Sequence, residues 1–344
     1  MRIASCHVRA CIVVIGSAFV FPDIVQAHEG WGILLDARGR IYFTDIPTNT
    51  VWRLARNGAP EKVVTGKHSH ALHMDAAGNL YGTNPHLTLA VGSIWKLTPD
   101  GKLSDVIAPT SNLPLGLQSF AMDAEGSVYS VNARNAKTPL LVLLRRRPNG
   151  EVTRIAGSEP GHADGVGARA KFLGIDGMAW GDDGALYVAD GPYVRRVSLD
   201  GAVSTPIVSP LTGVSWDEDL LGIAANDSGS FVIADYSGQR VTRLSIDRNV
   251  TIMHGTGLFW APTGVAVEDG SVYSLQHLQL PLAILGDLRV GPYLRIQRMA
   301  RDGSVETLAT LWGSRTLLAA LVLLSIVALI VLIVKLPRWR RVRG

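Results

Sequence analysis

The stretch GMAWGDDGALYVAD, residues 177–190, decides the fold. It holds two short apolar runs separated by a turn, and its second run follows a glycine and ends on a polar residue six positions later. This second half recurs along the chain as GRIYFTD (39–45), GNLYGTN (78–84), GSVYSVN (126–132), GALYVAD (184–190), GSFVIAD (229–235) and GSVYSLQ (270–276). Six copies of one pattern predict a repeat architecture built from similar units.

Three further short runs accompany every copy. One precedes the glycine, one carries a cation four residues ahead of an Asn or Asp, and one closes the unit. The cations are Arg53, Lys96, Arg145, Arg196, Arg243 and Arg298. A glycine follows the Asn or Asp in five of the six copies, which is typical of a hairpin turn. Four short strands in each of six units predict an all-β, six-bladed β-propeller over residues 28–314.

The N-terminus has the features of an export signal. Arg2 and Arg9 precede the apolar run 10–21, and small residues stand at the cleavage positions of the segment 25–27. We predict a signal peptide over 1–27, with an uncleaved N-terminal anchor as the alternative. Both cysteines of the chain lie inside this segment, so the exported domain has no thiol for disulfides or catalysis.

The C-terminus has the features of a membrane anchor. Residues 316–334 carry no charge, and at about 1.5 Å per residue they extend roughly 28 Å, the thickness of the bilayer core. Five cations follow within 335–344, and basic flanks stay on the cytoplasmic side. We predict a transmembrane helix over 315–335, a cytoplasmic tail over 336–344 and a propeller outside the cytoplasm. A buried core helix and a sorting signal cleaved after export are the alternatives.

The charge distribution excludes a nucleic-acid partner. The whole chain has a formal net charge of +4, but the excess comes from its two ends, and the region 28–314 is slightly acidic. A propeller without a basic face lacks the electrostatic footprint of nucleic-acid binding.

Two longer stretches carry a resemblance to known families. The segment 156–172, AGSEPGHADGVGARAKF, together with the repeat that follows it, resembles NHL-repeat propellers. HEGWGILLDARGRIYFTDI (28–46) and IDGMAWGDDGALYVAD (175–190) resemble the senescence-marker-protein and gluconolactonase family of six-bladed propellers. The resemblance supports the same architecture, but propellers host enzymes and inert scaffolds alike.

The gluconolactonase resemblance implies a divalent cation at one mouth of the central channel. Glu29 and Asp176 match two of the family's ligands, Gln118 stands where the family has an Asn, and His70 lies in the region of another Asn. Oxygen ligands favour calcium, with zinc and manganese as alternatives. The resemblance implies a hydrolase of lactones or esters, in which Asp176 is the base that directs water onto the carbonyl.

A second ring of polar residues ends the second strand of each unit. A propeller brings the start of every first strand and the end of every second strand to one face, so these residues are candidates for binding a ligand at the channel. They are Asp45, Asn84, Asn132, Asp190, Asp235 and Gln276. The alternative is that they cap strand ends and join neighbouring blades, because Asp and Asn also serve turns.

Two further features bear on partners. His68 and His70 fall on one side of a regular strand and His73 on the other, so the three do not form one compact metal site.

The apolar segment 278–285, LQLPLAIL, is predicted to lie in a loop on the same face as the channel mouth. This favours a mouth that faces the bilayer and receives a lipophilic ligand, with packing on a neighbouring blade as the alternative.

Two classes of function follow from these features. The first is a metal-dependent hydrolase of lactones or esters at the cell envelope. The second is a propeller that binds an envelope protein, a glycan or a lipid without chemistry.

Overall fold

The computed structural model describes residues 30–55, 58–86, 91–108, 115–132, 140–208, 220–226, 229–245, 249–257, 259–279 and 292–313. The predicted signal peptide (1–27), transmembrane helix (315–335) and tail (336–344) lie outside these ranges. In the described ranges, no helix is long and apolar enough to cross a membrane.

Six antiparallel sheets confirm the predicted six-bladed propeller. Blade 1 consists of β1 (Ile33–Leu35), β2 (Ile41–Asp45), β3 (Thr50–Leu54) and β4 (Glu61–Thr65), and blade 2 of β5 (Leu72–Met74), β6 (Leu80–His86), β7 (Val91–Leu97) and β8 (Leu103–Ile107). Blade 3 consists of β9 (Leu115–Met122), β10 (Val128–Asn132), β11 (Leu141–Arg146) and β12 (Val152–Ser158). Blade 4 consists of β14 (Ile175–Trp180), β15 (Leu186–Asp190), β16 (Tyr193–Val197) and β17 (Ala202–Val208), with the short β13 (Gly165–Val166) added beside β17. Blade 5 consists of β18 (Leu220–Asn226), β19 (Ser230–Asp235), β20 (Arg240–Ser245) and β21 (Val250–Gly255), and blade 6 of β22 (Trp260–Glu268), β23 (Ser271–Leu278), β24 (Pro292–Met299) and β25 (Val305–Trp312).

The ring closes by packing between blades 1 and 6, because each described blade is built from consecutive strands. The Thr263 hydroxyl donates to the Gly30 carbonyl at 2.8 Å, and the Tyr293 hydroxyl donates to the Asp45 carboxylate at 2.9 Å. The two blades also share one buried apolar cluster, which includes Ile33, Phe43, Leu275, Leu294 and Ile296. Closure therefore depends on side-chain contacts across this seam.

Glycines allow the innermost strands to approach one another. A Cβ at Gly264 would lie 2.2 Å from the Trp31 carbonyl oxygen of blade 1, and a Cβ at Gly177 would lie 2.2 Å from the Leu221 carbonyl oxygen of blade 5. Real side chains do not tolerate these distances, so the narrow centre of the ring requires glycine at these positions.

A recurring polar contact explains the repeated tyrosines of the second strands. Tyr81 donates its hydroxyl to Asp75 at 2.9 Å, and Tyr129 donates to Asp123 at 3.1 Å. The repeated cations lie over the same rings: the Lys96 amine is 5.6 Å from the Tyr81 ring centroid. In blades 2 and 3 the phase of the repeats therefore reflects a contact that joins the first three strands, whereas blade 5 has Val232 at the tyrosine position.

This contact makes stability depend on pH. Burial alone would raise the pKa of Asp75, but hydrogen bonds from Asn79, Tyr81 and the Ala77 amide lower it below its ordinary value. Burial and the bond to Asp75 raise the pKa of Tyr81 to about 12. A lowered carboxyl pKa stabilises the fold above the unfolded-state pKa, and this contribution is lost as pH falls through the folded-state pKa.

Asp75→Asn is expected to weaken the decrease in stability with acid and to move the pKa of Tyr81 down toward its ordinary value. Urea unfolding between neutral and acidic pH measures the first effect. Ultraviolet titration of the phenolate measures the second, with Tyr81→Phe as the control that identifies the Tyr81 signal. An unchanged Tyr81 titration in Asp75→Asn would contradict the assigned contact.

Candidate site at the channel mouth

The innermost strands surround a cavity of about 300 Å³ along the propeller axis. Most of the residues that line it have apolar side chains, among them Ile33, Leu35, Ala71, Phe120, Met178 and Ile223, but polar atoms form the larger part of its exposed wall. We define the mouth face as the face where the innermost strands begin and the second strands end. The strand register places Ile175 beside Asp190 and Leu220 beside Asp235 at this face, as the sequence predicts.

The innermost strands of blades 3 to 6 carry an irregularity near the mouth. The pairing register shifts between Ile175 and Met178 in β14, between Leu220 and Ile223 in β18, and between Pro262 and Gly264 in β22. Bulges of this kind re-aim side chains and are common beside functional sites. Asp176 lies inside the β14 irregularity and is half-buried.

Two of the four predicted metal ligands can be located. Asp176 occupies the β14 bulge, and His70 is buried beside Trp31 and His68, with ring centroids 5.2 and 4.9 Å away. The backbone of Gln118 belongs to β9, but its side chain lies outside the described part of the structure, as does the whole of Glu29.

The predicted divalent cation therefore remains a prediction. Within the described ranges, no group of three or more His, Cys, Asp and Glu side chains forms a metal-binding cluster. Calcium takes six to eight oxygen ligands. Asp176 and His70 offer one carboxylate and one imidazole, so these two residues alone do not fit calcium, and the fit depends on Glu29 and Gln118.

His73 lies apart from the other two histidines, as the strand alternation predicts. Its ring contacts Tyr81 and Phe120, with centroids 6.2 and 6.5 Å away, and burial lowers its pKa. His68 instead bonds to the Asn49 side chain through Nδ1 at 2.9 Å. These contacts support a structural role for His73.

Two aspartates of the second ring pair with arginines. Asp190 accepts from the Leu173 and Gly174 amides at 2.7 and 2.9 Å, and from the Arg195 guanidinium at 2.6 Å. Burial raises the pKa of the Asp190 carboxyl, although these three donors act in the opposite direction. Asp235 accepts from the Gly238 amide at 2.8 Å and from Arg240 at 2.6 Å. Both carboxylates thus hold turns and strand ends at the mouth.

The three amides of the second ring also make contacts within the fold. Asn84 accepts from the His68 amide at 2.8 Å. Asn132 bridges the two sides of its loop by donating to the Leu140 carbonyl at 2.9 Å and accepting from the Val142 amide at 2.6 Å. Gln276 donates to Ser274 and Gln297 at 2.7 and 2.8 Å and accepts from Arg295 at 2.7 Å. These contacts match the capping alternative, and ligand binding by the ring stays a prediction.

Asp45 differs from the other members of the ring. Its Oδ2 atom accepts from Thr48 at 2.5 Å, from the Trp52 indole at 3.1 Å and from Tyr293 of blade 6 at 2.9 Å. Its Oδ1 atom is buried and has no hydrogen-bond partner among the described residues. Asp45 therefore joins blades 1 and 6 through Oδ2, while its Oδ1 accepts no hydrogen bond from the described residues.

Sequence reasoning missed two polar residues of blade 6. The Arg295 guanidinium lies 4.2 Å from the Trp260 ring centroid and donates to the Thr256 carbonyl at 2.5 Å. Burial lowers its pKa, and no acidic side chain of the described ranges pairs with it. His277 is fully buried, which lowers its pKa to about 4 against the effect of a backbone hydrogen bond to Gly30, so it is neutral at physiological pH. The sequence signal that could have identified these two residues is a His or an Arg within an otherwise apolar strand.

The fold is shared with several solved structures. No protein-family model and no curated protein sequence match the chain. A luciferin-regenerating enzyme superposes with a TM-score of 0.56 at 15% identity, over 83% of this chain and 93% of that one. A gluconolactonase from Xanthomonas campestris gives 0.55 at 14% identity, over 72% and 83%. The calcium-binding protein regucalcin from Agrobacterium tumefaciens gives 0.53 at 16% identity, over 74% and 83%.

These similarities define the class of protein. The chain contains a six-bladed β-propeller, and its structural neighbours include gluconolactonase-like proteins, which confirms the resemblance at the level of the fold. At these identities the similarity extends to the fold alone.

Proposed function

We propose that the protein is an exported, membrane-anchored propeller that hydrolyses a lactone or ester at the channel mouth, with Asp176 as the base. The observation that carries this proposal is the position of Asp176, a half-buried carboxylate in a bulge of an innermost strand at the mouth face. The neighbouring Gly177 packs on the backbone of blade 5, so the bulge has little room to shift.

The chemistry assigned to Asp176 is a proton transfer in two steps. Its carboxylate takes a proton from water while the water oxygen attacks the substrate carbonyl. The acyl C–O bond then breaks, and the leaving oxygen receives the proton from Asp176. Glu29, Asp176, Gln118 and His70 would hold a divalent cation, which would polarise the carbonyl and lower the pKa of water when bound.

The structural neighbours support this class of reaction. One is a gluconolactonase and another is a calcium-binding protein, and both share the propeller with this chain. That this chain has lactonase activity or binds calcium is part of the proposal.

A non-catalytic binding propeller is the second candidate. Asp190, Asp235 and Gln276 of the second ring are engaged in contacts within the fold, which leaves these side chains less able to act on a substrate.

Asp176→Asn is expected to reduce hydrolysis of the best substrate in a lactone and ester panel by about 100-fold or more, the usual contribution of a general base. The full chain would be purified in detergent, and bound calcium, zinc and manganese would be measured by elemental analysis. Asp182→Asn, which changes an exposed turn carboxylate of the same blade, is the matched control.

The outcomes separate the two candidates. A bound cation and an activity that are both lost in Asp176→Asn and retained in Asp182→Asn support the hydrolase. A wild-type protein that binds none of the three metals and cleaves no member of the panel leaves the binding propeller as the function.

A further inference from the structure

We propose that the mouth-side end of blade 6 lies in the lipid headgroup layer, where Phe259 and Trp312 insert between the lipids. The partner is thus the bilayer surface itself. This inference rests on the proposed C-terminal anchor and adds to it an orientation of the propeller and the residues that contact lipid.

The first argument is the distance between the fold and the anchor. The last strand, β25, ends at Trp312, and the uncharged segment begins at residue 316. The three residues between them span at most about 10 Å when fully extended. The headgroup layer is itself about 5–8 Å thick on each side of the hydrocarbon core. The mouth-side end of β25 is therefore held at the membrane surface.

The second argument is the position of the exposed aromatic residues. In the described part of the chain, the large aromatic side chains on the surface are Phe259, 37% exposed, and Trp312, 64% exposed. Both lie at the mouth end of blade 6: Trp312 pairs with Pro292 at the start of β24, and the Phe259 carbonyl accepts from the Gln279 amide just after β23. The exposed aliphatic residues are instead distributed over several blades. Trp is enriched where a membrane protein meets the headgroups, and Phe is among the residues that interfacial segments bury at this depth.

The third argument is the backbone conformation at Phe259. Its φ is 71°, a region that bulky residues rarely adopt. This strained conformation holds a phenyl ring that is 37% exposed at the mouth end of blade 6. Insertion of the exposed part of the ring into the interface removes apolar surface from water, which favours the bound orientation.

Arg295 of β24 adds a cation on the same blade. Its guanidinium is partly buried over Trp260 and donates to Gln276 and to the Thr256 carbonyl, both of them uncharged acceptors. The planar guanidinium group of arginine can donate paired hydrogen bonds to phosphate oxygens. This corner of the propeller therefore combines exposed aromatic rings with a cation, the composition expected of a surface that meets phospholipid headgroups.

The test uses the full chain in nanodiscs that contain phosphatidylglycerol. Cys6 and Cys11 are changed to serine, and an environment-sensitive fluorophore is attached at Phe259→Cys or at Val305→Cys. Val305 is the matched control because it is 38% exposed and belongs to the same blade, at the opposite end of β25. Trp312→Cys is a second labelling site at the mouth.

We expect blue-shifted emission from the labels at 259 and 312, quenching by lipids with a nitroxide on the headgroup, and several-fold less quenching by iodide than at 305. Alkaline extraction of the same membranes tests the anchor independently. A protein that resists extraction while labels 259 and 305 respond equally to iodide would overturn the orientation and leave the anchor intact. A protein that alkali releases would overturn both.

Discussion

Replacing Asp190 with asparagine is expected to lower the free energy of unfolding by about 3 kcal/mol. Asp190 and Arg195 are both 0% exposed, and their charged groups are 2.6 Å apart. Removal of the carboxylate charge leaves the Arg195 guanidinium buried with Asp164 as its remaining acidic partner, and Asp164 is 52% exposed. An incompletely paired buried charge is much more costly than the loss of one ordinary hydrogen bond.

Asp183→Asn is the matched control for this substitution. Asp183 pairs with Arg196 at the same distance of 2.6 Å in the same blade, but the two side chains are 40% and 34% exposed. An exposed pair contributes about 1 kcal/mol or less. Urea unfolding of both variants measures the difference, and equal losses of stability would show that burial does not govern the Asp190–Arg195 pair.

Gly264→Ala is expected to destabilise the propeller by about 1–3 kcal/mol or more, the usual range for overpacking a close-packed interior. The new methyl group would lie 2.2 Å from the Trp31 carbonyl oxygen and 2.9 Å from the Trp31 carbonyl carbon. The backbone of blade 1 or blade 6 must move to accept it. This is the seam that closes the ring, so the strain acts where the described blades share no strand.

Gly255→Ala is the control for the general effects of replacing a strand glycine, namely the change in strand propensity and in the conformational entropy of the unfolded chain. Gly255 ends β21, and a Cβ there would meet no atom within 4 Å. We expect Gly255→Ala to change the thermal midpoint little and Gly264→Ala to lower it by several degrees. A similar midpoint for the two variants would mean that blades 1 and 6 are not in close contact through this glycine.

The candidate site shows the limit of sequence reasoning. Strand register alone predicts that the six polar residues of the second ring end their strands at one face. In the structure Asp45, Asn132, Asp190 and Asp235 end their strands, whereas Asn84 and Gln276 lie two residues before the ends of theirs. The sequence does not reveal that Asp190 and Asp235 face arginines five residues further along. An aspartate that binds a ligand and one that pairs with an arginine have the same local pattern, because the difference arises from the partner across the turn.

Sequence by itself determined the number of blades, the order of strands within each blade and the phase of the repeat, because turn glycines and alternating apolar residues are local signals. Tertiary structure alone decided how the ring closes, that Asp176 lies in a bulge, and that Phe259 and Trp312 share one corner of blade 6. These features depend on contacts between residues far apart in the chain, such as Thr263 with Gly30 and Tyr293 with Asp45. Only folding brings such pairs into contact, so no local pattern encodes them.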